Sequence, residues 1–190
     1  MELDKELITQ CQQGNKNSFG QLVTPYFHEA YAISFTILKS KEQAEDAVQN
    51  AMIEAYKNIM MQKEIRNFRS WFLTLVSSRS IDLVRKNMKD MKQITDIEAY
   101  PFNSNETPLT DLLLKEEKSI VMQNLLNLPS KYRIVITLHY YQELSIREIA
   151  QLLEIKEGTV KSRLHNARLV LNKIFTNENK FIKVGETNGF

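Results

Sequence analysis

The stretch LSIREIAQLLEIKEGTVKSRLHNARLVL, residues 144–171, reads as two helices separated by a short turn. Ser145 and Glu148 form an S-x-x-E capping box, which satisfies two of the free amides at a helix start, so a helix begins at Ile146. Ile149, Ala150 and Leu153 give it a narrow apolar face, and the small Ala150 lets another helix cross closely. After the turn, Val160, Leu164, Ala167, Leu171 and Ile174 recur at steps of three and four, the stripe of a second amphipathic helix. Two helices, a tight turn and a close crossing make a helix-turn-helix, whose second helix enters the DNA major groove. An ordinary helical hairpin would share the pattern, but its second helix need not be basic. Here only Glu157 opposes the cations between Lys156 and Lys173.

At about 100° per residue with Val160 inward, Gly158, Ser162, His165, Asn166 and Leu169 point outward. Lys161 and Arg168 fall on one flank, Thr159 and Arg163 on the other. Flanking cations suit phosphates and outward polar groups suit base edges. Asn166 can pair with adenine, and Ser162 can donate or accept. His165 has two readings, a DNA contact or a solvent-exposed histidine.

Upstream, the chain reads as mostly helical from its start to about residue 87. Ile8, Cys11, Phe19, Leu22, Val23, Tyr26, Phe27, Tyr31 and Ile33 carry the apolar pattern, interrupted by a turn at Gly14–Asn15. Ser40 with Gln43 forms a second capping box, predicting a helix from Lys41. Ala44, Ala47, Val48, Ala51, Ile53 and Ala55 are expected on its packed side, with Asp46, Gln49 and Asn50 facing away. A loop is expected within YKNIMMQKEIRNFRS, then an amphipathic helix over about 69–87 anchored by Trp71, Phe72, Leu75, Val76, Ile81 and Val84. Pro101, Pro108 and the cluster NSNET mark a linker. Beyond it, Pro129 and Ser130 open a helix through the β-branched run Ile134-Val135-Ile136-Thr137. That run alone suggests a strand, but no partner strand is near. The fold class is therefore all-α: two small helical domains joined by a flexible linker, the second with the helix-turn-helix. The boundaries are 1–88, a linker over 89–110, 111–176, and a frayed polar tail over 177–190.

Composition narrows the function. The 190 residues are 43% hydrophobic and 25% charged, ordinary for a globular protein. One cysteine excludes an internal disulfide and fits a reducing compartment. No apolar run approaches the roughly 20 residues of a membrane span, and the charged start MELDKELITQ is unlike a signal peptide, so a cytoplasmic location is expected, without membrane insertion. The net charge of +2 hides a segregation. Residues 42–54 carry Glu42, Glu45, Asp46 and Glu54 and no base, whereas residues 63–89 carry Lys63, Arg66, Arg69, Arg79, Arg85, Lys86 and Lys89 against Glu64 and Asp82. Such blocks arise on solvated helix faces or on surfaces for partners of opposite sign. No phosphate-binding loop, dinucleotide fingerprint or metalloprotease motif occurs, and His28, His139 and His165 have no metal-ligand spacing. Neither an enzyme, a metal centre nor a cofactor is expected.

Residues 128–171 (LPSKYRIVITLHYYQELSIREIAQLLEIKEGTVKSRLHNARLVL) resemble the promoter-reading C-terminal domain of extracytoplasmic-function (ECF) sigma factors. SKEQAEDAVQNAMIEAYKNI resembles the polymerase-binding helix of their region two, and FRSWFLTLVSSRSIDLVRKN the helix after it, with Trp71, Asp82 and Arg85 at family spacing. The resemblance implies that Asp46, Gln49 and Asn50 bind the basic coiled coil of the core RNA polymerase clamp. It implies minus-ten DNA contacts between about 58 and 86, with Phe68 as the stacking candidate and Arg66, Arg69, Arg79 and Lys86 on phosphates, Trp71 being assigned to the core. Lys161, Ser162, Arg163, His165, Asn166 and Arg168 would read the minus-thirty-five element. Relatives are commonly held by a membrane-anchored anti-sigma factor, so core polymerase, promoter DNA and an anti-sigma factor are the expected partners. Glu154 stands where the family's turn usually has Gly, Lys156 where a Ser commonly caps, Asn50 where an acid is usual, and Ser77-Ser78 where Arg-Asn is frequent. A stand-alone helix-turn-helix regulator is the competing reading, though it would usually need a dimerisation seam.

Overall fold

The computed structural model describes residues 2–93 and 117–185, and all regular structure among them is helical. The expected all-α class holds. Helices α1 (Glu2–Gln12), α2 (Lys16–Val23), α3 (Phe27–Leu38), α4 (Lys41–Met60) and α5 (Phe68–Gln93) make up most of one compact unit, with Thr137–Ser145. The other contains α6 (Glu117–Asn127), α7 (Ser130–Ile136), α8 (Ile146–Leu153) and α9 (Glu157–Gly185).

Local signals explain most helix ends. Gly14 at φ +96° provides the turn after α1, and the Asn15 side chain accepts from Asn17 N to start α2. Lys39 at φ +57° closes α3, after which Ser40 Oγ accepts from Gln43 N at 3.3 Å and α4 begins. Asn67 does the same for α5, its Oδ1 accepting from Ser70 N at 3.1 Å. The loop expected within YKNIMMQKEIRNFRS lies between Met60, where α4 ends, and Phe68, where α5 begins.

The first unit is built on α3, α4 and α5 packed against one another, with α1 against α2 and α4. Ala44, Ala47, Ala51 and Ala55 are completely buried along α4, so the neighbouring backbones approach closely. Phe72, Val76, Ile33 and Ile37 fill the space between. Two buried hydroxyls face each other across α3 and α5, Ser34 Oγ and Ser80 Oγ at 2.9 Å, and Ser80 also donates to Val76 O. Burying such groups would be costly without those partners.

In the second unit α9 packs on α6, α7 and α8. The β-branched run Ile134–Ile136 is helical and buried, as expected, because tertiary burial outweighs its weak preference for strand. Arg133 on α7 is buried, donates from Nη1 to Leu128 O at 2.7 Å, and burial lowers its pKa to about 10. After α7 the chain widens into a π turn over Thr137–Tyr141.

Two terminal expectations change. α5 runs to Gln93, so residues 89–93 continue a helix, while the remainder of the expected linker lies outside the described residues. α9 runs to Gly185, so residues 177–185 also extend a helix instead of forming a frayed tail.

Candidate partner-protein and nucleic-acid interfaces

On α4 the alanine stripe turns Asp46, Gln49 and Asn50 outward, and all three are exposed. Glu42 and Glu45 are exposed beside them. This end of α4 is an acidic rail held by the capping hydroxyl of Ser40. Ile53 corrects the sequence reading. It was expected on the packed side but is 48% exposed, because the buried Ala51 and Ala55 flank it at two residues each way and place it on the opposite face.

The start of α5 brings a larger correction. Phe68, expected to stack on a DNA base, is only 2% exposed. It lies parallel to Phe72, with centroids 5.6 Å apart, and is closed in by Tyr26 and Trp71. A ring so enclosed is core, and base stacking from this position is excluded. Trp71, expected as core, is half-buried.

The cations of this region differ in their surroundings. Arg66 and Lys86 are exposed, Arg66 with a local pair to Glu64 at 3.2 Å that solvent screens. Arg69 is clamped by Glu29, with Nε 3.0 Å from Oε2 and Nη2 on Oε1. Arg79 lies between two carboxylates, Nη1 3.0 Å from Asp82 and Nε 3.1 Å from Glu54, the latter close but not aligned as a hydrogen bond. Arg69 and Arg79 therefore present less net positive charge than Arg66 and Lys86. Arg66 also edges an open hollow of about 480 Å³ with Lys5, Thr9, Gln12, Gln62, Lys63 and its partner Glu64. Lys5 and Gln12 come from α1, more than fifty residues away, and sequence reasoning missed them. Of the Ser77-Ser78 pair, Ser77 is fully buried.

In the helix-turn-helix, α8 starts at Ile146 as its capping box predicts. Ile149 and Ala150 of α8 and the stripe Val160, Leu164 and Ala167 of α9 are buried where the two helices pack together. The turn passes through Glu154 at φ +55°, the left-handed region where Gly has no steric cost. Lys156 O then accepts from Thr159 N and Val160 N to start α9. Ser162, His165, Asn166, Lys161 and Arg168 are exposed, Arg163 half-buried, matching the assigned faces. Ser162 donates to Thr159 O at 3.0 Å, which leaves its oxygen to accept from a base amino group. Gly158 has open space around its Cα, so backbone can approach a ligand there.

Among the described residues there is no cluster of His, Cys, Asp or Glu that could hold a metal, and no helix is long and apolar enough to cross a membrane. An exposed acidic helix face on one unit and an exposed second helix of a helix-turn-helix on the other are features of a transcription factor that couples DNA reading to a protein partner. Residues 22–89 match the family described as Sigma-70 region 2, and residues 119–171 match Sigma-70, region 4. The chain is 33% identical to the ECF RNA polymerase sigma factor SigW of Bacillus subtilis, covering 89% of this chain and 95% of that protein. It is 29% identical to the ECF RNA polymerase sigma-E factor of Escherichia coli K12, covering 90% and 94%. Two solved structures share the fold. CnrH in complex with the cytosolic domain of CnrY has a TM-score of 0.57 at 22% identity, covering 92% of this chain and 98% of that one. RpoE in complex with the anti-sigma factor NepR, from Bartonella quintana, has a TM-score of 0.56 at 21% identity, covering 83% and 96%. The chain belongs to the extracytoplasmic-function sigma factors.

Proposed function

We propose that residues 1–88 grip core RNA polymerase and open the minus-ten element, while residues 111–176 read the minus-thirty-five element. The exposure of Asp46, Gln49 and Asn50 on a helix whose other side is alanine carries the first half of this reading. A stand-alone regulator has no use for that rail. Acids in an exposed row attract a basic partner surface and raise the encounter rate.

At the minus-ten element, Arg66 and Lys86 take phosphates, with weaker contributions from Arg69 and Arg79 because their carboxylate partners compete. Extruding a base from the stack costs a few kcal/mol. The hollow edged by Lys5, Lys63 and Arg66, three cations against the single carboxylate of Glu64, offers polar groups and net positive charge to offset that cost. In α9, Lys161, Arg163 and Arg168 hold phosphates, while Ser162, His165 and Asn166 face base edges. The protein works in the cytoplasm, where polymerase and promoters are. An anti-sigma factor that covers these surfaces would switch it off, a reading supported by the complex solved for RpoE.

Run-off transcription with purified core polymerase tests the proposal. Asp46→Arg with Gln49→Ala should abolish promoter-dependent transcripts while helical content and melting stay unchanged. Undiminished transcription by this variant would reject the assignment of α4.

A further inference from the structure

The outward face of α4 does not end with its acids. Asp46, Ile53 and Met60 follow one another at seven-residue steps, and seven residues at about 100° each fall only about 20° short of two full turns. The three side chains therefore lie nearly in line along about 21 Å of helix. Gln49 and Asn50 sit between the first two. Ile53 is 48% exposed and Met60 42%, and Met61, just past the helix end, is 69% exposed. The same line is acidic at its start (Glu42, Asp46, with Glu45 beside them), and toward its end it carries Ile53 and Met60 with the exposed Lys57 between them.

We propose that Ile53 and Met60 are the apolar half of the polymerase-binding face and hold the complex together once the acidic half has steered it. This rests on the assignment of α4 to polymerase. The occupant is a helical surface of core polymerase, basic opposite Glu42, Glu45 and Asp46 and apolar opposite Ile53 and Met60. Three observations favour it. Ile53 and Met60 continue the polar row in register, two large exposed apolar side chains on either side of Lys57. A seven-residue seam is the repeat with which one helix meets another. Finally, Asn50 lacks a charge, Glu54 next to Ile53 is already paired with Arg79, and Lys57 is a cation, so the negative charge of this face is concentrated near its start. Apolar side chains near the centre of an interface, ringed by polar ones, carry a large share of binding energy.

The two halves differ in salt response. Charge contacts weaken as salt screens them, and apolar contacts do not. Affinity of the full chain for purified core polymerase, measured across a salt series, separates them. Ile53→Ala should weaken binding about tenfold at every salt concentration, an order of magnitude typical of truncating a central apolar contact. Met60→Ala should do the same more weakly, and Ile53→Leu should restore binding. Asp46→Arg should instead lose affinity mainly at low salt. Melting of each variant, followed by Trp71 fluorescence, controls for folding. If Ile53→Ala and Met60→Ala bind like the parent while Asp46→Arg fails, the apolar half is refuted and the polymerase assignment stands. An Ile53→Ala defect that vanishes at high salt also refutes it. If all three bind normally, the assignment of α4 falls as well.

Discussion

Glu154 lies in the turn between α8 and α9 at φ +55°, a conformation that costs a residue with a Cβ about 1–2 kcal/mol. Replacing it by Gly removes that cost but adds freedom to the unfolded chain, worth about 0.4–1 kcal/mol against folding. Replacing it by Ala retains the strain. Both variants lose the Glu154 side chain and its contacts, so the difference between them isolates backbone conformation. The Glu154→Gly variant should then be more stable than the Glu154→Ala variant by about 0.5–1 kcal/mol, the surplus of the first effect over the second. Hydrogen exchange of the α8 and α9 amides reads this locally, without requiring the whole chain to unfold in one step. The expected result is protection about two- to fivefold greater with Gly, since 1.4 kcal/mol corresponds to tenfold. Equal protection, or greater protection with Ala, would refute a strained turn and leave the family's usual Gly at this position without a steric explanation.

Arg163→Ala should weaken promoter binding about equally across sequences and lower the salt slope by about one, as loss of one phosphate contact does. Changes at Asn166 should instead alter sequence preference, and uniform weakening there would overturn the face assignment. In the first unit, burial raises the pKa of Cys11 above 9.0 and those of Tyr26 and Tyr31 above 10.0, with Asp4 also acting on Tyr26. The fold holds these protons more tightly than the unfolded chain, so stability is full below about pH 9 and declines as pH rises through the ordinary thiol and phenol range. Denaturant midpoints between about pH 8 and 10.5 should fall, and Tyr31→Phe should flatten the decline; a midpoint independent of pH would contradict it.

The readable parts of the sequence were those governed by neighbours within one or two turns. The capping pairs Ser40/Gln43 and Ser145/Glu148 placed helix starts at Lys41 and Ile146, and helical periodicity turned Asp46, Ser162 and Asn166 outward. Ile53 misled because its apolar identity was given more weight than its angle, although exposed apolar residues are common. Phe68 misled for a different reason. Its cage includes Tyr26, 42 residues earlier, and no local pattern encodes that contact. The pairing of Arg69 with Glu29 and of Arg79 with Glu54 is equally non-local, so charge counts along the chain overstated the free positive charge near the proposed minus-ten site.

The two proposed interfaces follow different design rules, and the difference bears on what mutations there can show. α4 packs mainly through alanines, with Val48 and Ile59, which leaves Asp46, Gln49, Asn50 and Ile53 outside the core. A side chain projecting from that face can change sign or size with little effect on folding, which is why substitutions at Asp46 or Ile53 report binding. α9 is less separable. Val160, Leu164 and Ala167 are buried only one residue away from Lys161, Arg163, Arg168 and Asn166, and Arg163 is itself half-buried. A half-buried arginine typically lays its aliphatic stem on apolar surface and keeps its charged head in water. Truncating Arg163 therefore removes packing together with charge, and only the salt slope distinguishes the lost phosphate contact from a loosened helix. A loosened helix would weaken binding without changing the number of phosphates neutralised, whereas loss of the contact changes both.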